Sequence, residues 1–147
     1  MSGSATRSLF VAEPPTAFIL RTPLVVDCST LAALLFREHW VVEAEQNIAN
    51  RLLHAPYLLQ AEIANVAIKK SRQGMGQIVQ DGIAQLEALA IELHRVQEAE
   101  VIALADRYRL SAYDACYLWL AAELKAPLAT FDERLATAAK SHLAGLT

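Results

Sequence analysis

Short apolar runs alternate with amphipathic stretches along most of the chain. The runs are a few residues long and are either rich in β-branched residues or alternate with polar ones, which is the pattern of strands. The predicted strands cover residues 23–27, 90–96 and 127–130, with a brief extended stretch at 54–57. The predicted helices cover residues 31–40, 41–53, 58–72, the apolar ridge from Ile78 to Leu89, 98–108, 111–125 and 132–142.

This order of elements predicts one three-layer α/β/α domain at residues 24–147. Parallel strands need crossover connections, so short strands separated by helices indicate a central parallel sheet with helices on both faces. Residues 1–23 carry no sustained period and contain two adjacent prolines, and we interpret them as an extension of uncertain order.

Capping signals mark the starts of two helices. Ser29 or Thr30 is expected to cap the first helix. Thr130 and Glu133 match a capping box at the last helix, which on this interpretation leaves Asp132 without a capping role.

The composition is that of a soluble folded protein. Of the 147 residues, 54% are hydrophobic and 20% are charged, which excludes disorder. No apolar run reaches the ~18 residues of a membrane span, and no signal peptide is recognisable, so the expected location is the cytoplasm. Two cysteines are expected to be small buried residues, and the four scattered histidines contain no HExxH pair, so zinc is not expected.

Four acids lie in positions that suggest chemistry. Asp27 and Asp132 follow predicted strands, at the edge where open parallel sheets bind ligands. Glu62 and Asp114 lie in strongly apolar helices, where an ionised carboxylate is costly unless it is paired, hydrated or bound to a metal. Oxygen ligands without histidine or cysteine suit Mg²⁺ or Mn²⁺, ions that activate water and orient phosphodiesters.

Each acid also has an ordinary explanation. Asp27 and Asp132 are favoured at helix starts by the helix dipole. Glu62 fits a solvent-facing position, and Asp114 fits a capping box with Ser111. The spacing of these residues does not show that they converge, so both interpretations stay open.

The segments around the acids resemble, in order, the four acidic motifs of PIN-domain ribonucleases. They are residues 25–29, 61–66, 111–115 and 128–135. The pattern is most similar to the toxins of VapBC-type toxin–antitoxin pairs and covers residues 24–145. In one departure from these toxins, about 23 residues precede the first motif instead of a few.

The resemblance implies a PIN-like three-layer fold whose pocket binds one or two Mg²⁺ or Mn²⁺ ions and cleaves RNA endonucleolytically. It implies that Asp27 and Asp114 are the principal metal ligands. Glu62 would complete the metal shell directly or through water, and Asp132 would serve a second ion. The implied partners are RNA and an antitoxin protein, and a homodimer is plausible.

Polar and basic residues near the acids are candidates for supporting roles. Ser29 and Thr130 match polar positions that orient a water or an acid, with helix capping as the alternative. Lys69, Lys70 and Arg72 cluster at the end of the helix that carries the second acid. They are candidates for phosphate contacts, with stabilisation of the helix dipole as the alternative.

The net charge of −3 does not exclude a polyanionic substrate, because bound cations would offset the four acids. Tyr113, Tyr117 and Trp119 are expected in the core rather than as base-stacking platforms. Two alternatives to a toxin ribonuclease are a non-catalytic PIN-like association module and a stand-alone RNA-processing nuclease. A different Mg²⁺ phosphotransfer enzyme is disfavoured because its phosphate-binding motifs are missing.

Overall fold

The computed structural model describes residues 21–146, so the predicted extension at residues 1–23 lies almost entirely outside the described residues. The strands are β1 (Thr22–Val26), β2 (Arg51–Pro56), β3 (Glu92–His94) and β4 (Leu128–Ala129). The helices are α1 (Cys28–Leu35), α2 (Val41–Ile48), α3 (Leu58–Arg72), α4 (Gly76–Leu89), α5 (Glu98–Tyr108), α6 (Ala112–Leu124) and α7 (Glu133–Ala144). None of these helices has the length and apolar character needed to cross a membrane.

The four strands form one parallel sheet in the order β3-β2-β1-β4. The chain proceeds from β1 to β2 and β3 in one direction and then crosses back to β4, on the other side of β1. Helix α1 contacts α2, α3 and α4, whereas α6 contacts α5, α7 and three of the strands. The helices thus form a layer on each face, and the predicted three-layer α/β fold with a central parallel sheet is confirmed.

The core lies where β1 is enclosed by α1 and α6. Leu24, Val25 and Val26 are all buried, because an interior strand of this sheet is covered on both faces. Six of the eight residues of α1 are buried, and so are six of the thirteen residues of α6. The carboxyl end of β1 is therefore held in a rigid, densely packed part of the molecule.

Several element bounds differ from the prediction for identifiable reasons. Helices α3 and α5 have the predicted bounds. Helix α1 begins at Cys28 rather than at residue 31, because Asp27 is its N-cap; the expected cap at Ser29 or Thr30 is wrong. Helix α2 ends at Ile48 rather than at residue 53, since pairing with β1 draws residues 51–54 into β2.

The cap of the last helix also corrects the prediction. Asp132 is the N-cap of α7, and its Oδ1 accepts a hydrogen bond from the backbone N–H of Leu135 at 2.9 Å. The capping box expected from Thr130 is therefore wrong. The N-cap of α6 is Ser111, as predicted, with its Oγ accepting from the N–H of Asp114 at 3.1 Å.

Candidate active site

The order of the strands reverses beside β1, between its neighbours β2 and β4. In open α/β sheets, ligands bind at such a switch point, outside the carboxyl ends of the strands. Asp27 directly follows β1, and Thr130 and Asp132 closely follow β4. The fold thus places three of the predicted site residues at the position where a site is expected.

Asp27 is buried and is held by hydrogen bonds from two directions. Its Oδ1 accepts from the Ser29 hydroxyl at 2.7 Å and from the backbone N–H of Thr30 at 3.0 Å. Its Oδ2 accepts from the Thr130 hydroxyl at 2.5 Å. The carboxyl group therefore has one fixed orientation, although burial raises its pKa against the opposing effect of these donors.

Ser29 and Thr130 orient Asp27 rather than cap helices. While each hydroxyl donates to the carboxylate, Ser29 Oγ accepts from the backbone N–H of Phe131 at 2.9 Å, and Thr130 Oγ1 accepts from that of Asp132 at 2.9 Å. The two side chains thus connect the loop after β4 to the end of β1. The loop that carries Asp132 and the acid at position 27 are positioned by the same hydrogen bonds.

Glu62 reaches the site from the second turn of α3. Its Oε1 accepts a hydrogen bond from the hydroxyl of Tyr117 in α6 at 2.5 Å. This bond lowers the pKa of Glu62, but burial and the charges of Asp27 and Asp114 raise it by more. Glu62 is half-buried and accepts a hydrogen bond from a buried tyrosine, so it is not an ordinary fully solvated side chain.

Asp114 lies in the first turn of α6, just after the Ser111 cap. Burial raises its pKa, and the negative charges of Asp132 and Asp27 raise it further. Glu62 is shifted by Asp27 and Asp114 in the same way. Two of the four predicted acids, Glu62 and Asp114, therefore carry pKa shifts caused in part by the others, although the acids come from four separate segments of the chain.

No three of the four carboxyl groups lie within 4.8 Å of one another. Among residues 21–146, ligand atoms within 4.8 Å of one another occur in one group of three, which consists of His54, Glu92 and His94 and does not include the four acids. Mg²⁺ commonly keeps several waters between itself and protein oxygens, so a wider arrangement of carboxylates suits it. The donor set, which is all oxygen, and the raised pKa values both fit a hard divalent cation.

Two residues near the acids were missed at the level of sequence. Tyr117 is buried and bonded to Glu62; its position three residues after Asp114 on one helix was the available signal. Arg134, two residues after Asp132, lowers the pKa of Asp114 by its positive charge. Its guanidinium is held by a 2.7 Å hydrogen bond to the backbone carbonyl of Arg109.

The predicted basic cluster lies away from the acids. Helix α3 begins at the carboxyl edge of the sheet and runs away from it, and Lys69 is seven residues beyond Glu62, which is about 10 Å along a helix. Lys70 forms an ion pair with Glu38 at 2.7 Å. The structure thus gives Lys70 a local partner, and phosphate contact by Lys69, Lys70 and Arg72 stays a prediction.

The other residues singled out from sequence have mixed outcomes. Tyr117 is in the core as predicted, but Tyr113 is exposed, so that expectation is wrong. Trp119 is partly buried, and its indole N–H donates to Glu100 at 2.7 Å. Cys116 is buried and Cys28 is partly buried, and both are free thiols. Burial and the charges of Glu62 and Asp27 raise the pKa of Cys28 to about 12, which makes it a poor nucleophile.

Known proteins are similar to this chain over most of its length. A family model described as PIN domain matches residues 24–141. Ribonuclease VapC3 of Pyrobaculum aerophilum is 34% identical over 122 residues, covering 77% of this chain and 92% of that protein. Ribonuclease VapC9 of Mycobacterium tuberculosis is 35% identical over 115 residues, covering 76% of this chain and 87% of that protein.

A solved structure has the same fold. The crystal structure of PAE2754 from Pyrobaculum aerophilum superimposes with a TM-score of 0.64 and 22% sequence identity. The match covers 84% of this chain and 88% of that one. At this identity the likeness supports the architecture alone.

Proposed function

This chain belongs to the PIN-domain family, and on that premise we propose that it is a Mg²⁺- or Mn²⁺-dependent endoribonuclease and the toxin of a toxin–antitoxin pair. The observation that carries the proposal lies near the switch point of the sheet, where the negative charges of Asp27 and Asp114 raise the pKa of Glu62, and those of Asp132 and Asp27 raise the pKa of Asp114. Like charges that are partly buried together raise one another's pKa, and a divalent cation relieves that cost.

Asp27 and Asp114 are the proposed principal ligands. Asp27 is held in one orientation by hydroxyls and a backbone N–H, so its loss of freedom on binding an ion is small. Glu62, held by Tyr117, completes the shell directly or through water, and Asp132 supports a second ion or its waters. When bound, one or two such ions supply a water of lowered pKa and a template for the phosphodiester.

Other residues of the chain orient the proposed ligands and add positive charge beside them. Ser29 and Thr130 keep Asp27 oriented as an acceptor. The positive charge of Arg134 lowers the pKa of Asp114, and Arg134 is proposed to contact a phosphate of RNA. An antitoxin partner belongs to the same proposal, which relatives named VapC ribonucleases support. A homodimer and a cytoplasmic location are further parts of the proposal that those names do not address.

The test is RNA cleavage by the full chain with Mn²⁺ or Mg²⁺, compared with Asp27→Asn. Asparagine caps a helix as well as aspartate does, so the variant is expected to fold. Removal of a principal ligand is expected to lower the cleavage rate at least ~100-fold, since metal ions supply several kcal/mol of transition-state stabilisation. The matched control is Asp106→Asn in α5, an exposed aspartate outside the site, which is expected to keep the wild-type rate.

The outcomes separate the candidate functions. Cleavage by Asp27→Asn at the wild-type rate, or by the wild-type chain in a chelator, would contradict the proposal. A wild-type chain that binds no divalent cation and cuts no RNA, but forms a stable complex with another protein, would support a non-catalytic association module. Cleavage that no protein encoded beside the gene inhibits would support a stand-alone RNA-processing nuclease.

A further inference from the structure

A second group of side chains able to bind a metal lies at the opposite edge of the sheet from β4, on strands β2 and β3. Strand β3 pairs in parallel with β2, in a register that sets His54 opposite Glu92 and Pro56 opposite His94. Side chains two residues apart in a strand share a face, so His54, Glu92 and His94 lie together. Residues 40 positions apart in the sequence thus meet through strand pairing, which local spacing did not reveal.

We propose that His54, Glu92 and His94 bind one Zn²⁺ ion, or a similar transition-metal ion, that connects the edge strand β3 to β2. The three ligand atoms already lie within 4.8 Å of one another. His54 Nδ1 is 2.9 Å from His94 Nε2 and 3.4 Å from Glu92 Oε2. Two ligand atoms bound to one Zn²⁺ ion at tetrahedral angles are about 3.3 Å apart. Small rotations of these side chains would therefore bring their ligand atoms to the spacing that Zn²⁺ requires.

The ligand chemistry differs from that of the four carboxylates. Two imidazole nitrogens with one carboxylate oxygen suit Zn²⁺, and this set leaves a fourth position for water. Burial lowers the pKa of His54, which keeps its ring neutral and its nitrogen lone pair available. The 2.9 Å contact between the two rings requires that at least one of these facing nitrogens carries no proton, so one lone pair is already present there.

The site is accessible and electrostatically separate from the proposed active site. The side chain of Glu92 is 67% exposed and that of His54 only 12%, so an ion can enter past the carboxylate towards the buried ring. The pKa of His54 responds to burial, to Glu92 and to His94, whereas the pKa values of Glu62 and Asp114 respond to other carboxylates near the switch point. Occupancy is therefore expected to be independent of Asp27.

The proposed ion has a clear structural consequence. Strand β3 is three residues long and lies at the edge of the sheet, so it has few backbone hydrogen bonds to hold it. A ligand from β2 and two from β3 would tie it to its neighbour. The ion would bind the folded chain and not the unfolded one, so it would stabilise the fold by mass action.

The experiment is calorimetric titration of the full chain with Zn²⁺ alone at neutral pH, in excess Mg²⁺ to occupy the carboxylates. One Zn²⁺ per chain is expected for the wild type and for Asp27→Asn. The affinity for Zn²⁺ is expected to fall at least ~100-fold in His94→Gln. It is expected to fall at least ~10-fold in Glu92→Gln, which replaces an exposed side chain. The control His39→Gln, at an exposed histidine beside Trp40, is expected to bind as the wild type does.

Cobalt gives a second measurement that does not depend on stability. Co²⁺ in the wild-type site is expected to show the strong visible absorption of a four-coordinate ion, and His94→Gln is expected to lack it. Equal Zn²⁺ affinity in the wild type and in both ligand variants would overturn the proposal, and so would a wild-type chain that binds no Zn²⁺. Loss of zinc binding in Asp27→Asn alone would also overturn it, because the ion would then belong to the carboxylate site.

Discussion

At the scale of single residues, Asp27 performs two tasks with one carboxylate. It caps α1 by accepting from the N–H of Thr30, and it is the most deeply buried of the four acids. Capping and metal binding were alternative explanations of this residue at the level of sequence. The structure shows that the cap uses one oxygen, while the other accepts from Thr130, so capping does not exclude the proposed role.

Tyr117 offers the sharpest residue-scale prediction. Its hydroxyl donates to Glu62 and thereby lowers the pKa of that carboxyl, against burial and the neighbouring negative charges. Tyr117→Phe removes the donor, so the pKa of Glu62 is expected to rise further. A hydrogen bond to a charged group contributes ~1.5 kcal/mol or more, so the acid limb of the kcat/KM profile should move up by about one pH unit.

The matched control for that variant is Tyr113→Phe, an exposed tyrosine on the same helix. Its pH profile with Mn²⁺ is expected to follow the wild type. If Tyr117→Phe lowers the rate equally at every pH, Tyr117 supports the packing of the site but does not tune Glu62.

The residue-scale chemistry was only partly predictable. The acids were recognisable because carboxylates in apolar or strand-end positions are unusual, and the motifs around them occur in a known order. Tyr117 and Arg134 were not recognisable from sequence. An aromatic residue in an apolar helix, such as Tyr117, is ordinary, and so is an exposed basic residue on a helix, such as Arg134. Their roles are recognisable only from their contacts with other elements, which are the hydrogen bond of Tyr117 to Glu62 and that of Arg134 to Arg109.

At the scale of elements, the contact between α1 and α4 depends on a glycine. A Cβ added at Gly82 would lie 2.5 Å from the backbone carbonyl oxygen of Leu35 and 2.8 Å from the ring of Phe36. The helices therefore approach one another more closely than any side chain at this position allows. Since Asp27 is the N-cap of α1, this packing supports the element that holds the proposed ligand in place.

Gly82→Ala is expected to destabilise the fold although alanine is the better helix former. The gain in helix propensity is ~1 kcal/mol, whereas overpacking against a backbone oxygen costs typically ~1–3 kcal/mol, so we expect a net loss of about 1 kcal/mol. The measurement is the free energy of unfolding from denaturant titration. Gly76→Ala in the same helix meets no atom within 4 Å and is expected to be neutral or slightly stabilising. Equal effects of the two substitutions would contradict the close approach.

Element existence was easier to predict than element bounds. The long amphipathic helices α3 and α5 follow directly from their periodicity. The start of β2 could not be predicted in this way. Residues 51–53 are equally compatible with a helix, and they join the sheet because they pair with β1. Strand β3 is shorter than its alternating pattern suggests, since only residues 92–94 pair with β2.

At the scale of the whole molecule, strand order explains how residues far apart in the chain come to the same edge of the sheet. Strands β1 and β4 are neighbours although they lie about 100 residues apart in the chain, so Asp27 and the loop carrying Asp132 meet at the switch point. Helix α6 crosses the strands beside them and brings Asp114 and Tyr117. No spacing in the sequence encodes this arrangement; the family resemblance supplied it, and local periodicity could not.

The raised pKa values of three of these acids lead to a prediction about the stability of the whole chain. The pKa values of Asp27, Glu62 and Asp114 are raised above the ordinary 3.8 of aspartate and 4.5 of glutamate, so the folded state holds protons that the unfolded state releases. The metal-free protein therefore loses stability as pH rises from the ordinary values through the raised ones. At neutral pH the full cost is present, and a cation bound among the acids offsets it.

Mg²⁺ should thus raise the Tm more at pH 7.5 than near pH 4, where protons compete with the cation for these carboxyls. At a concentration a hundredfold above Kd the ion contributes ~2.7 kcal/mol, which for a chain of this size corresponds to roughly 5–10 °C. The rise should disappear in Asp27→Asn and persist in His94→Gln, because Mg²⁺ prefers oxygen ligands to imidazole. Calorimetric scans at the two pH values measure it. An equal rise at both values, or in Asp27→Asn, would mean that Mg²⁺ binds elsewhere and that these four carboxylates are not the cation site.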